Sequence, residues 1–122
     1  LGVTVAGLNV TEAFTKGQSG AVTALTDAAT ITPNFANSNN FSVTLGGNRT
    51  LANPTNIVAG QSGIIVITQD STGSRTLAYG SYWKFAGGTA PTLTASGYDD
   101  LGFFSIDGGT TWQGFVLGKA MA

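Results

Sequence analysis

The sequence predicts an all-β domain, an antiparallel β-sandwich or jelly-roll-like barrel entered through an extended N-terminal arm. Glycine is the first sign. The 122 residues include 18 glycines, which sit with Ser, Thr and Asn between short runs of Val, Ile, Leu and aromatic residues, the punctuation of strands and turns. The second sign is alternation over residues 41–45, with Phe41, Val43 and Leu45 on one face and Ser42 and Thr44 on the other, the period of a half-buried strand. The third is composition. Charged residues make up 9% of the chain and hydrophobic residues 42%, enough apolar material for a core and too little charge for disorder.

Residues 1–20 read as an arm or linker. Leu1 to Val5 alternates, and the stretch from Thr11 to Gly20 is small and polar around one aromatic, Phe14. A segment of that kind gains order by lying on something else. The chain starts without an initiator Met and without the basic opening of a signal peptide, as expected of a processed product or of the end of a longer protein. Residues 21–122 read as the sandwich, with strands expected at 21–25, 29–32 and 41–45. Residues 63–68 are apolar on both faces, so they are expected to form a central strand covered on each side, by a neighbouring subunit if not by the domain itself. Further short strands are expected at 75–79, 82–85 and 91–94. Asp107-Gly108-Gly109 between residues 101–106 and 111–117 signals a hairpin, because Asp and Gly tolerate positive φ. Residues 10–16 and 58–61 hint at helical turns too short to stand alone.

One short run recurs: Gly47-Asn48-Arg49-Thr50-Leu51-Ala52 returns as Gly73-Ser74-Arg75-Thr76-Leu77-Ala78. Two copies are too few for a solenoid. They read as similar turn-into-strand elements facing one another across the sandwich, or more sharply as two arginines, Arg49 and Arg75, presented to a partner.

No catalytic, cofactor or metal site is expected. The chain has no His and no Cys, which removes the usual general base near neutral pH and the commonest metal and thiol chemistry. Asp99 and Asp100 are neighbours in an expected strand, so they point to opposite faces and do not converge as a carboxylate pair would. Asp107 is explained by its turn, and no calcium-loop spacing is present. The five basic residues are scattered, whereas a nucleic-acid surface needs them clustered. No apolar run approaches the roughly 20 residues of a membrane span. The aromatic residues crowd the C-terminal half, and Trp83, Trp112 and Tyr82 are either core and interface side chains or a surface for stacking on sugar rings.

Residues 24–31, 40–56, 60–63, 73–77 and the run Trp83-Lys84-Phe85-Ala86-Gly87-Gly88-Thr89-Ala90-Pro91-Thr92-Leu93 together resemble a module of tailed-phage and prophage structural proteins. That module commonly ends fibre-like or minor virion proteins. The resemblance spans roughly residues 14 to 119 of the chain. It implies a protein made in the bacterial host cytoplasm and carried on the virion surface, homo-oligomeric and expected to be a trimer, with no catalytic residue. The leading expectation is a capsid decoration or head-fibre protein that packs on capsid or sister subunits. The alternatives are the terminal domain of a tail fibre contacting a host receptor and a carbohydrate-binding module for a host-surface glycan. Trp83, Trp112, Tyr82, Arg49 and Arg75 are the expected receptor or interface contacts.

Overall fold

The computed structural model describes Ala13 and residues 15–122. Most of the expected arm, and most of the helical hint at 10–16, lies outside the described residues. Residues 15–21 are exposed and carry no regular structure.

The strands are β1 (Val22–Ala24), β2 (Thr30–Ile31), β3 (Asn40–Leu45), β4 (Arg49–Leu51), β5 (Ser62–Gln69), β6 (Leu77–Tyr79), β7 (Trp83–Lys84), β8 (Tyr98–Ser105) and β9 (Trp112–Met121). Among the described residues the helical content is one 3-10 turn, Ala86–Gly88. The strands make a large sheet, β1-β3-β5-β8-β9-β7, and a small one, β2-β4-β6. Both contribute to one core, with Phe41, Val43, Leu45, Ile65 and Ile67 from the large sheet meeting Ile31 and Leu51 from the small one. The all-β, two-sheet reading of the sequence therefore holds.

Strand direction departs from the antiparallel expectation. From β1 to β6 the chain alternates between the two sheets, and every pair formed in that part is parallel. Val22 lies opposite Asn40 and Asn40 opposite Ile64, so two turns of the chain take 18 and 24 residues. In the small sheet Thr30, Thr50 and Ala78 fall in one row, at intervals of 20 and 28 residues. A third contact, the parallel bridge from Asn34 to Thr55, joins the first two turns between the sheets. These are three stacked coils of a short parallel solenoid. Each return is longer than the dozen residues that a parallel crossover requires. Alternation of apolar residues reports which face of a strand is buried and is blind to the direction of its neighbour, which is why the pattern suggested a different pairing.

The last part of the chain turns antiparallel. β8 lies against β5, and β9 lies against β8. The hairpin turns where Asp107 and the glycines foretold it. Gly108 takes φ 67°, its N–H donates to Ser105 Oγ, and the Gly109 N–H donates to Asp107 Oδ1. Residues 91–94 form no strand. Pro91 brings no N–H, and the Thr94 N–H is spent on the Asp99 carboxylate at 2.7 Å, so the segment covers the core as a loop with Leu93 packed inward. Residues 58–61 make a β-turn in place of the expected helical one, closed by the Gln61 N–H donating to the Val58 carbonyl with Gly60 at φ +85°.

β5 is central, as expected. Its inward side chains Ile65 and Ile67 are buried. The inner rows run from coil to coil, Phe41 opposite Ile65 and Ile65 opposite Leu101 in one sheet, and Ile31, Leu51 and Tyr79 in the other. At Gly63 a side chain has no room, since a Cβ there would lie 1.6 Å from the Asn39 carbonyl oxygen.

Candidate interaction surfaces

The aromatic residues are mostly core. Trp112 is fully buried, stacked on Phe35 at 4.4 Å and on Phe103 at 4.8 Å. Trp83 is 5% exposed, meets Trp112 edge-on at 6.0 Å, and donates from Nε1 to the Ala52 carbonyl at 3.1 Å. Neither indole offers a face to solvent. Tyr82 is half-buried against the same cluster. Next to this cluster the half-buried Tyr79 and Phe85 flank an open groove of about 380 Å³ also lined by Lys84 and Gly88. Burial first, and then the nearby Asp99 charge, push the Tyr79 phenol well above its ordinary pKa, so it stays protonated.

Arg49 and Arg75 are each engaged within the domain. The Arg49 guanidinium grips both oxygens of Asp27 at 2.8 and 2.9 Å, and Arg75 grips Asp70 at 3.1 and 2.9 Å. The hydrogen bond from Arg49 holds the Asp27 carboxyl below the usual range against a small burial cost. The bond from Arg75, with the Gly73 N–H, does the same for Asp70. The two copies of the recurring run lead into β4 and β6 of successive coils but build different corners, Arg75 pairing with Asp70 across its own turn and Arg49 reaching back to Asp27. They lie side by side in the small sheet rather than across the sandwich, and they are out of step, because Arg49 stands opposite Leu77 and not opposite Arg75.

The other acidic side chains among the described residues are not poised for chemistry. Burial raises the Asp99 carboxyl, but bonds from the Thr94 N–H and Oγ1 and the Ala120 N–H, with the Lys119 charge, outweigh it and leave the pKa lowered. Asp100 stands on the other side of β8, in the row of Val66 and Gly118. No three His, Cys, Asp or Glu side chains gather to hold a metal among the described residues.

What the domain does offer is an apolar outer face on the large sheet. Ile64, Gly102 and Phe115 occupy one cross-strand row. Phe115 and Leu117 both fold over Gly102, where an added Cβ would lie 2.5 Å from Phe115 Cε2 and 2.8 Å from Leu117 Cδ1. Ile64, Phe115, Leu117 and Met121 remain 37%, 44%, 53% and 40% exposed. The sequence had flagged the Ile64 side of this face through the two-sided apolar strand. It missed Phe115 and Leu117, whose membership follows from the register of β9 on β8.

A sheet of stacked coils, closed by a hairpin and greasy on its outer side, suits a structural particle component. A family model described as "Putative phage tail fibre C-terminal domain" matches residues 31–99, more than half of the chain. The chain belongs to this family. Membership makes it a phage structural protein and a component of the virion. The matched part of the tail-fibre domain runs from the end of β2 to the start of β8, so it contains the second and third coils with Arg49 and Arg75, while β1 and Asp27 precede it. No curated protein and no solved structure matches the chain. No helix among the described residues is long and apolar enough to cross a membrane.

Proposed function

We propose that this chain is the terminal domain of a tail fibre, a non-enzymatic module whose work is to pack against neighbouring protein. One observation carries the reading. In the large sheet the parallel coils are capped at one end by the antiparallel pair β8 and β9, while at the other end, where the chain enters, β1 and β2 are the edges of the two sheets; beyond the last coil the small sheet ends at β6. A stack built in that way terminates a fibre and does not need to sit flat on a shell. Asp27 and Asp70 serve ion pairs, Asp107 a turn and Asp99 a loop anchor, which supports a role without a reactive centre.

The apolar outer face is the contact with sister subunits in a closed homo-oligomer, a trimer in the simplest fibre symmetry. Taking roughly 200 Å² for each large apolar side chain, the exposed parts of Ile64, Phe115, Leu117 and Met121 come to on the order of 350 Å². At about 25 cal/mol per Å² that is about 9 kcal/mol, comparable with the roughly 4–15 kcal/mol that association costs. A stable contact buries about 800 Å² per partner, so the polar surroundings of this face must close against the neighbour as well. Lack of charge suits such an interface core, and Asp100 is the one ionisable carboxylate in the row beside it.

Gold-labelled antibody against the domain, applied to intact particles, tests the location. Label confined to the far ends of tail fibres is the expected result. Label spread over the head shell would replace this reading with capsid decoration.

A further inference from the structure

On the side where the chain enters, each sheet ends in an edge strand, β1 in the large sheet and β2 in the small one, and no described residue pairs with the outer side of either. Successive N–H and C=O groups of a strand point to alternate sides. The Leu25 N–H goes to the Ser42 carbonyl, so Ala24 and Val22 turn their backbone groups to the open side. The carbonyls of Ala29 and Ile31 accept from Thr50 and Ala52, so Thr30 faces the open side of the small sheet. Natural sheets blunt such edges with Lys, Pro, a bulge or a covering segment. Residues 21–26 (Ala-Val-Thr-Ala-Leu-Thr) hold no charge and no Pro, and Val22 is 66% exposed. At the other end of the stack, β8 already occupies the far edge of β5, and the small sheet ends at β6.

We propose that this edge is the seat of one further parallel coil, supplied by the fibre polypeptide that leads into the domain. The first coil seen here is then an internal rung of a longer stack. The identity of the occupant rests on the tail-fibre reading. Two features favour it over a second copy of the domain. Each coil of the stack lies on the side from which the preceding chain arrives, and always in parallel register. Gly20 and Ala21 also lead straight into β1, with Gly20 beside the Asn40 side chain and the Ala21 carbonyl accepting from Ser38 Oγ, so the chain enters at the first coil. Recognition would be main-chain pairing, the mode by which an extended segment extends an exposed sheet.

Hydrogen exchange read on peptides covering residues 20–32, compared between the isolated 122-residue chain and intact particles, tests the proposal. The amides of Val22, Ala24 and Thr30 should exchange quickly in the isolated chain at every concentration, and on the order of 100-fold more slowly in particles. The substitution Ala24→Pro removes an N–H that no described residue uses, a change that an edge strand tolerates. It should leave the melting temperature of the isolated domain within a few degrees and cut incorporation into particles at least about tenfold. Equal exchange in the two states, or normal incorporation of Ala24→Pro, overturns the proposal. So does protection that grows with concentration in the isolated chain, which would give the edge to a second copy. The gold label reports the tail-fibre reading independently, so the two can fail separately.

Discussion

Two tryptophans at neighbouring positions in the core allow a comparison in which most terms cancel. Trp83→Phe and Trp112→Phe delete the same ring atoms from sites that are 5% and 0% exposed. The lost transfer energy and the residual cavity, about 1–2 kcal/mol at ~24 cal/mol per Å³ of cavity, are therefore nearly equal. Burial alone ranks Trp112→Phe as the more damaging. Hydrogen bonding reverses the order. Trp83 Nε1 donates to the Ala52 carbonyl, and its removal leaves that carbonyl short of a donor at a cost of about 1 kcal/mol or more. Trp112 Nε1 is buried with no partner among the described residues, and its removal returns a desolvation cost of similar size. The Trp83→Phe variant should therefore be the less stable of the two by about 2 kcal/mol. Equilibrium unfolding in urea, followed by far-ultraviolet circular dichroism, measures the difference, with equal m values as the check that both unfold from the same compact state. A Trp112→Phe variant as unstable as Trp83→Phe, or less stable, would refute the reasoning.

The substitution Gly63→Ala should destabilise by about 3 kcal/mol or more, because the new Cβ would lie 1.6 Å from the Asn39 carbonyl oxygen that now accepts the Ile64 N–H. Gly60→Ala, where nothing lies within 4 Å but φ is +85°, is the control and should cost about 1 kcal/mol by thermal melting. The variant Gln69→Leu should cost about 3 kcal/mol, since the Gln69 side chain bonds the Arg75 N–H, the Arg75 carbonyl and the Thr94 carbonyl at 2.9, 3.0 and 2.9 Å. With no His in the chain, stability should be flat between about pH 5 and 8. Asp27, Asp70 and Asp99 have lowered folded pKa values, so the stability they contribute is fully present above their unfolded values near 4 and lost as pH falls through the folded ones. A melting temperature that fell between pH 7 and 5 would contradict that assignment. The double substitution Phe115→Ser with Leu117→Ser should leave the domain folded and shift the species seen by sedimentation to the 12.3 kDa monomer.

What the sequence revealed follows from what each kind of pattern encodes. Alternation at Phe41, Val43 and Leu45 marks an inward face, and all three are buried. Asp107-Gly108-Gly109 encodes backbone geometry directly, and the hairpin turns there. The two-sided apolar run around Ile65 reported a central strand with an outer face left for something else to cover. The coil stack was hidden for a different reason. Intervals of 18 and 24 residues in one row, and 20 and 28 in the other, leave no fixed period to detect. The one legible repeat misleads by two residues, since the turn before Arg75 uses Gly73 and Ser74 at positive φ while the turn before Arg49 has no such residues. The interaction surfaces were half-visible. Arg49 and Arg75 look like free cations in a string of letters, and only the fold brings Asp27 within reach of Arg49.

A reconstruction of the tail fibre by cryo-electron microscopy, at a resolution that separates strands, bears most directly on the claim that this domain is a closed terminus fed by a parallel stack. The first coil, with β1 and β2, should face the shaft with strand density continuing across its edge, and the β8–β9 hairpin should lie toward the free end. A domain lying on the capsid, or one whose β1 edge meets only solvent while the hairpin faces the shaft, would contradict it.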